Sequence, residues 1–215
     1  MKLSTRLTAL CQAIPEHTYQ HIWDCCCDHG YLGEQLMAEH PDSTIHFIDV
    51  MPHLIEEVEK RLSHNSKQNW RTHCANAADL SLDQTENHLV IIAGVGGDLL
   101  IEMVDTIYNR HASLFSNKRL DFLLCPVRQL HKVRQGLNDL NLGLITEKII
   151  QDNNQFYEII QVSNQSNKPV SIVGREMWDL SNAEHVAYRN TMIRHYEKQP
   201  NAQAKILLKQ YKGIT

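Results

Sequence analysis

The strongest constraint on the fold is an alternation repeated five times along residues 21–140. Apolar, β-branched runs at His21–Cys26, Thr44–Val50, Asn69–Asn76, His88–Gly94 and Arg119–Pro126 read as strands. Between and after them, 31–39, 53–62, 98–110 and 128–140 carry helical periodicity, with Pro52 as a start signal for the second. The run LVIIAG in the fourth strand is apolar on both faces and belongs at the centre of a sheet. Strand and helix in strict alternation require a parallel sheet with helices on both sides.

The pattern changes near residue 144. LITEKIIQ and FYEIIQVS are two strand-like runs separated by Asp152-Asn153-Asn154, a turn rich in Asp and Asn, and they predict an antiparallel hairpin at one edge. An amphipathic helix over 3–14 precedes the first strand. Two polar helical stretches, about 182–198 and 201–212, follow Pro169 and predict a small helical hairpin. The expected fold class is therefore α/β and Rossmann-like, of the class I methyltransferase outline: a mostly parallel sheet with an antiparallel hairpin edge and C-terminal helices. The expected division is a domain over 1–165 and a helical extension over 166–215, coiled-coil-like by the family resemblance given below.

Charge follows the same division. Lys168–Thr215 holds eight Lys and Arg against four Asp and Glu, a balance of +4, while residues 1–167 carry -8. A basic appendage on an acidic body suits contact with a polyanion, and such contact weakens as salt rises. No apolar run reaches the ~18 residues of a membrane span, and the N-terminus lacks a signal-peptide pattern. The six cysteines have no paired CxxC spacing and read as reduced thiols of a cytoplasmic protein.

Three of those cysteines sit at the first strand-to-helix junction, in IWDCCCDHGYLGEQL. A zinc site needs four convergent ligands, and neighbouring strand residues point to opposite faces, so a metal is not expected here. Cys25 and Cys27 suit small apolar strand positions. The alternate positions Asp24, Cys26, Asp28 and Gly30 instead follow a D-x-G-x-G-x-G loop, which lets backbone amides approach S-adenosylmethionine (SAM). Cys26 is small enough to fit there with ordinary dihedrals. The dinucleotide fingerprint G-x-G-x-x-G is absent, which counts against NAD.

Later strand ends carry matching groups. Asp49 lies 21 residues after Asp28, where a carboxylate reaches ribose hydroxyls; a helix-terminal charge before Pro52 is its alternative role. Asn76 suits an adenine edge. Gly94-Val95-Gly96-Gly97 permits close approach of a ligand. All lie at the carboxyl ends of strands, where open α/β sheets bind ligands.

These residues resemble the TrmK-type tRNA (adenine-N(1))-methyltransferases over nearly the whole chain. LSTRL at 3–7 is similar to L-S-x-R-L, DCCCDHGYL at 24–32 to D-I-G-T-D-H-x-Y-L, and AGVGG at 93–97 to A-G-M-G-G. LLCP at 123–126 is similar to L-x-Q-P, and Arg134, Leu137, Glu147 and YEII at 157–160 follow the late-strand pattern. Cys26, Val95 and Cys125 replace the family's Gly, Met and Gln. The resemblance implies SAM as cofactor, held by Asp24, Cys26, Asp28, Gly30, Tyr31, Leu32, Asp49, Val50, Asn76, Ala77, Gly94, Val95 and Gly96. It implies methylation of adenine N1 in the D-arm region of tRNA, with Asp28, His29 and Tyr31 as catalytic candidates. Substrate contacts are expected from Arg6, Gly97, Pro126, Arg175, Arg189, Arg194, Lys205 and Lys209, with Lys198 and Lys212 as further phosphate contacts. The same residues also allow a SAM enzyme for another RNA base or a small molecule, or an RNA-binding relative without chemistry. Oligomeric state is not legible.

Overall fold

The computed structural model describes residues 3–15, 18–63, 69–115 and 117–215. Its sheet holds seven strands in the order β3-β2-β1-β4-β5-β7-β6. The parallel members are β1 (His21–Cys25), β2 (Thr44–Asp49), β3 (Trp70–Cys74), β4 (His88–Ala93) and β5 (Leu120–Cys125). β7 (Gln155–Ser163) runs antiparallel to both β5 and β6 (Gly143–Asp152). The hairpin joining β6 and β7 turns at Asn153 and Asn154, with φ of 49° and 60°. Two successive left-handed residues make the primed turn whose twist matches its strands, and asparagine tolerates that backbone better than most residues.

The helices are α1 (Thr5–Cys11), α2 (Tyr31–Glu39), α3 (Pro52–Leu62), α4 (Gly97–His111), α5 (Leu130–Asp139), α6 (Ala183–Glu197) and α7 (Ala202–Lys212). α5 starts two residues later than its periodicity predicts because Gln129 is left-handed, with φ 60°. The strand alternation divides the core. Leu89 and Ile91 pack with Leu36, Phe47 and Val58 towards α2 and α3. Val90 and Ile92 pack with Leu100, Val104, Val133 and Leu137 towards α4 and α5. β5 is buried along its whole length, which accounts for the apolar run Phe122–Cys125; its one charged residue, Asp121, is buried with a hydrogen bond from the Tyr19 hydroxyl at 2.6 Å.

The chain after β7 is fastened to this body by a buried polar cluster. Arg134 on α5 is fully buried. It donates to Glu158 Oε2 at 2.9 and 2.6 Å, to Glu147 Oε2 at 2.6 Å and to the Ser171 carbonyl at 2.8 Å. The remaining carboxylate oxygens accept from the Tyr188 hydroxyl at 2.8 Å and the Glu176 N–H at 2.9 Å. Both glutamates thus meet the C-terminal segment as well as Arg134. α6 and α7 then close a small core of their own around Val173, Tyr196, Leu207 and Tyr211.

The chain order reverses between β1 and β4: successive strands run outward from β1 to β3, then return to β1's other side. Their separating connections open a crevice at the carboxyl ends, where a ligand fits.

Candidate functional site

The loop leaving β1 lines this crevice. Cys26, Asp28 and Gly30 have φ of 56°, 52° and 69°, so every second residue is left-handed. Only the last is glycine; for the others the conformation costs about 1–2 kcal/mol each. Cys26 therefore departs from the ordinary dihedrals expected of it. α2 sits so close to β2 that a Cβ on Gly33 would come within 2.3 Å of Phe47. The connecting loop must keep the path of a glycine turn even where side chains replace the hydrogens. Backbone bonds from Cys27 N–H to Ile48 O (3.0 Å) and from Gly30 N–H to Cys27 O (2.7 Å) hold it there.

Two carboxylates frame the loop. Asp24, 4% exposed, accepts the Gly33 N–H at 3.0 Å. Burial pushes its carboxyl up to about 7; the Gly33 N–H opposes that shift, and nearby Asp49 adds to it. Asp49 accepts the N–H of Asp28 at 3.2 Å and of Met51 at 3.0 Å. It therefore both braces the loop and starts the chain into α3. A carboxylate has about four acceptor sites, so two remain for a ligand.

The crevice is a cleft of about 240 Å³. It gathers Asp24, Cys26, Asp28, His29, Tyr31, Leu32, Gly94 and Val95 from the expected set, and Arg6 from α1. The Arg6 guanidinium lies 5.0 Å from the Tyr157 ring centroid, and its Nε is buried without a hydrogen-bond partner. Gly94, with φ 82°, faces it with room for a Cβ at ordinary contact distance, 3.8 Å from Arg6 Nη2. At the mouth, Asp28 has a side chain 72% exposed. His29 Nε2 is 3.7 Å from Asp28 Oδ1, and His29 Nδ1 is 3.3 Å from Glu57 Oε2. Arg61 covers the Tyr31 ring at 5.1 Å and also donates to the His29 carbonyl. Cys26 is half-buried, and burial, then Asp49 and Asp24, push its thiol up to about 11. It is a neutral wall group rather than a nucleophile.

Other expected residues lie on the same sheet edge outside the cleft. Val50 is exposed, and Asn76 uses its Oδ1 to accept the Ala78 N–H at 3.0 Å, which leaves its amide nitrogen and one oxygen lone pair for a ligand. Ala77 is buried. Gly96 packs under Arg128. Gly97 is buried between α4 and the residues before α5, where an added Cβ would meet Arg128 O at 2.6 Å, so its lack of a side chain serves packing. Pro126 is also buried. In the extension, Arg175, Arg194, Lys198, Lys205 and Lys209 are exposed, while Lys212 pairs with Glu197 at 2.8 Å. Arg189 turns inward and donates to the Ile214 carbonyl at 2.8 Å, so it pins the C-terminus.

Sequence reasoning missed Gly33, Arg61, Glu57 and Tyr157. Gly33 had a signal in its spacing, since Gly30 and Gly33 stand one helical turn apart. The others are long-range partners whose proximity depends on α3 and β7 folding back over the loop. Among the described residues, no three His, Cys, Asp or Glu side chains are arranged to hold a metal ion. No helix there is long and apolar enough to cross a membrane.

A family profile described as methyltransferase domain matches residues 3–160. The chain belongs to the methyltransferase-domain family. No curated protein matches it by sequence. Among solved structures, this methyltransferase domain with its extension is similar to M. capricolum TrmK, determined with S-adenosyl-homocysteine. The identity is 17%, the TM-score 0.77, and 100% of both chains is covered. It is similar to the B. subtilis m1A22 tRNA methyltransferase TrmK at 19% identity and TM-score 0.70, covering 98% of this chain and 94% of that one. Synechocystis magnesium protoporphyrin IX methyltransferase, determined with SAM, gives 12% identity and TM-score 0.55 over 74% of this chain and 76% of its own.

Proposed function

We propose that this protein is a SAM-dependent methyltransferase acting on N1 of an adenine in the D-arm region of tRNA. In this proposal residues 1–165 hold the donor and 166–215 meet the RNA. The observation that carries it is the extent of the likeness. The two TrmK structures match essentially end to end, through α6 and α7, whereas the porphyrin enzyme covers only 74% of the chain. In this proposal the C-terminal helices serve the macromolecular substrate.

The donor fits the residues present. The loop keeps the left-handed path at 26, 28 and 30 that brings backbone amides close to a ligand, and Gly94 leaves space opposite. Asp24 offers a buried carboxylate to a cationic amino-acid end, and Asp49 offers free lone pairs to ribose hydroxyls. SAM supplies an electrophilic methyl group on a sulfonium. The chain itself has little proton chemistry to perform, because adenine N1 is unprotonated at neutral pH. Its work is to position the base. Methylation leaves the ring cationic, and the Asp28 carboxylate at the cleft mouth is placed to offset that charge. Tyr31 and His29 stand beside Asp28 to orient the base. The base must first leave its stack, at a cost of ~a few kcal/mol. With tRNA as its substrate, the protein is proposed to act in the cytoplasm.

Two assays test this. Calorimetric titration with SAM should show saturable binding, and no detectable heat at high donor concentration would refute the cofactor. Radiolabelled methyl transfer should reach unmodified bulk tRNA and not a mixture of small metabolites; the reverse preference would refute the substrate.

A further inference from the structure

A second cleft, of about 400 Å³, lies between the start of α5 and the outer face of α6. Its walls include Phe156, His131, His195 and Tyr196, with Met192 between them and Arg128 at the rim. It opens on the same sheet edge as the donor cleft. The Val127 N–H donates to Val95 O at 3.0 Å, so adjoining residues of one loop pair face the two hollows.

We infer that this cleft holds an unpaired base of the RNA substrate, a neighbour of the base that is methylated. The inference rests on the proposal that the substrate is RNA. Flipping one base out of a stack uncovers the faces of its neighbours, and unpaired bases are held mainly by stacking on aromatic rings with cations along the backbone. The lining supplies both. The His195 and Tyr196 rings stand at 78° with centroids 4.9 Å apart, and His131 is edge-on to Tyr196 at 6.4 Å. Thr191 and His195 are exposed one turn apart along α6. Arg128, and Arg194 and Lys198 on the adjoining side of α6, have no ion-pair partner within 4 Å among the described residues and are exposed. A purely apolar occupant would leave those cations without counterparts; the imidazoles are already engaged, His131 Nδ1 with the Tyr196 hydroxyl at 3.4 Å and His195 Nε2 with the Gln199 amide at 2.7 Å.

The cleft is also preformed. Gln129 is left-handed, and its side chain accepts the Asp98 N–H at 3.3 Å while donating to the Asp98 carboxylate, which fixes the rim against α4. On the other side, the Tyr188 hydroxyl ties α6 to Glu158, and its ring stacks on Phe156 at 5.1 Å. Rigid walls lower the ordering cost of binding.

The test uses the full chain and unmodified tRNA. Thr191→Trp fills the hollow from an exposed helix position, away from the buried packing. Fluorescence anisotropy should show its tRNA Kd raised about tenfold, with SAM affinity by calorimetry within about twofold of wild type. In parallel, tRNA carrying 4-thiouridine, irradiated on the wild-type protein, should give adducts on peptides containing 128–131, Phe156 or 191–196. Unchanged tRNA affinity in Thr191→Trp, or adducts confined to other peptides, would overturn the inference, as would a wild-type chain that binds no tRNA. If wild type binds tRNA through this cleft but makes no N1-methyladenosine, the assignment of activity fails and the cleft stands.

Discussion

Asp24 and Cys26 carry the loop's chemistry and its strain. The Asp24 carboxyl, held at about 7, is half protonated near neutrality. Binding a cationic donor favours the ionised form. Below pH 7 the proton must leave first, and affinity should fall about tenfold per pH unit. The donor's own α-amino group titrates at roughly 7.7–8.0 and does not explain that slope. Calorimetry from pH 5.5 to 7 should show it in wild type, while Asp24→Asn should bind more weakly and with a flat profile. Cys26→Gly should relieve the left-handed strain and raise stability by up to ~1 kcal/mol, net of glycine's greater unfolded freedom, without weakening donor binding. Urea titration measures it, and a destabilised variant would mean that Cys26 packing outweighs its backbone. The spacing of Asp24, Cys26, Asp28 and Gly30 was visible in the sequence. The left-handed backbone at Cys26 was not, because a cysteine carries no signal for that conformation and the loop's path is fixed by bonds to another element, such as Cys27 N–H to Ile48 O.

At the scale of elements, the five parallel strands and the hairpin were legible because periodicity and turn chemistry are local. The Asn153-Asn154 turn is the clearest case, since its residue types match the conformation it adopts. The fastening of the C-terminal extension was not legible. Arg134 and Glu147 could be matched to a family pattern, but that Arg134 bridges Glu147 to Glu158, and that all three meet the chain at 171–188, depends on three elements converging. Arg134→Met should cost about 3–5 kcal/mol, because two buried carboxylates lose their shared cation. Chemical denaturation checks the magnitude. A loss under ~1 kcal/mol would mean that Glu147 and Glu158 are protonated or solvated in the folded protein.

Across the whole molecule, a row of histidines spans the sheet near the amino ends of β1, β2 and β4. His21 Nδ1 and His46 Nε2 are 2.9 Å apart, as are His46 Nδ1 and His73 Nε2, and the far side of His21 meets Glu86. Trp23 stacks on His46 at 3.7 Å and donates to His88 Nδ1 at 2.9 Å. Burial, then neighbouring His21, His73 and Arg71, push His46 down to about 2. Burial pushes His88 down to about 4, against the Asp83 carbonyl and the charges of Glu86 and Asp83. Both are neutral when folded and take up protons near 6.5 when unfolded, so their contribution is present above 6.5 and lost as pH falls. In an Asp24→Asn background, which removes the opposing gain from a carboxyl raised to about 7, unfolding free energy should drop by a few kcal/mol between pH 7 and 5, and His46→Phe should flatten the profile. A stability that stays level over that interval would mean the row is already charged when folded.

The activity itself is decided by one incubation: the protein with SAM and tRNA lacking modifications, followed by digestion to nucleosides and mass spectrometry. N1-methyladenosine should appear only when donor and protein are both present, and at one position of the D-arm region. Methyl groups on another base, or none at all in a protein that binds SAM, would contradict it.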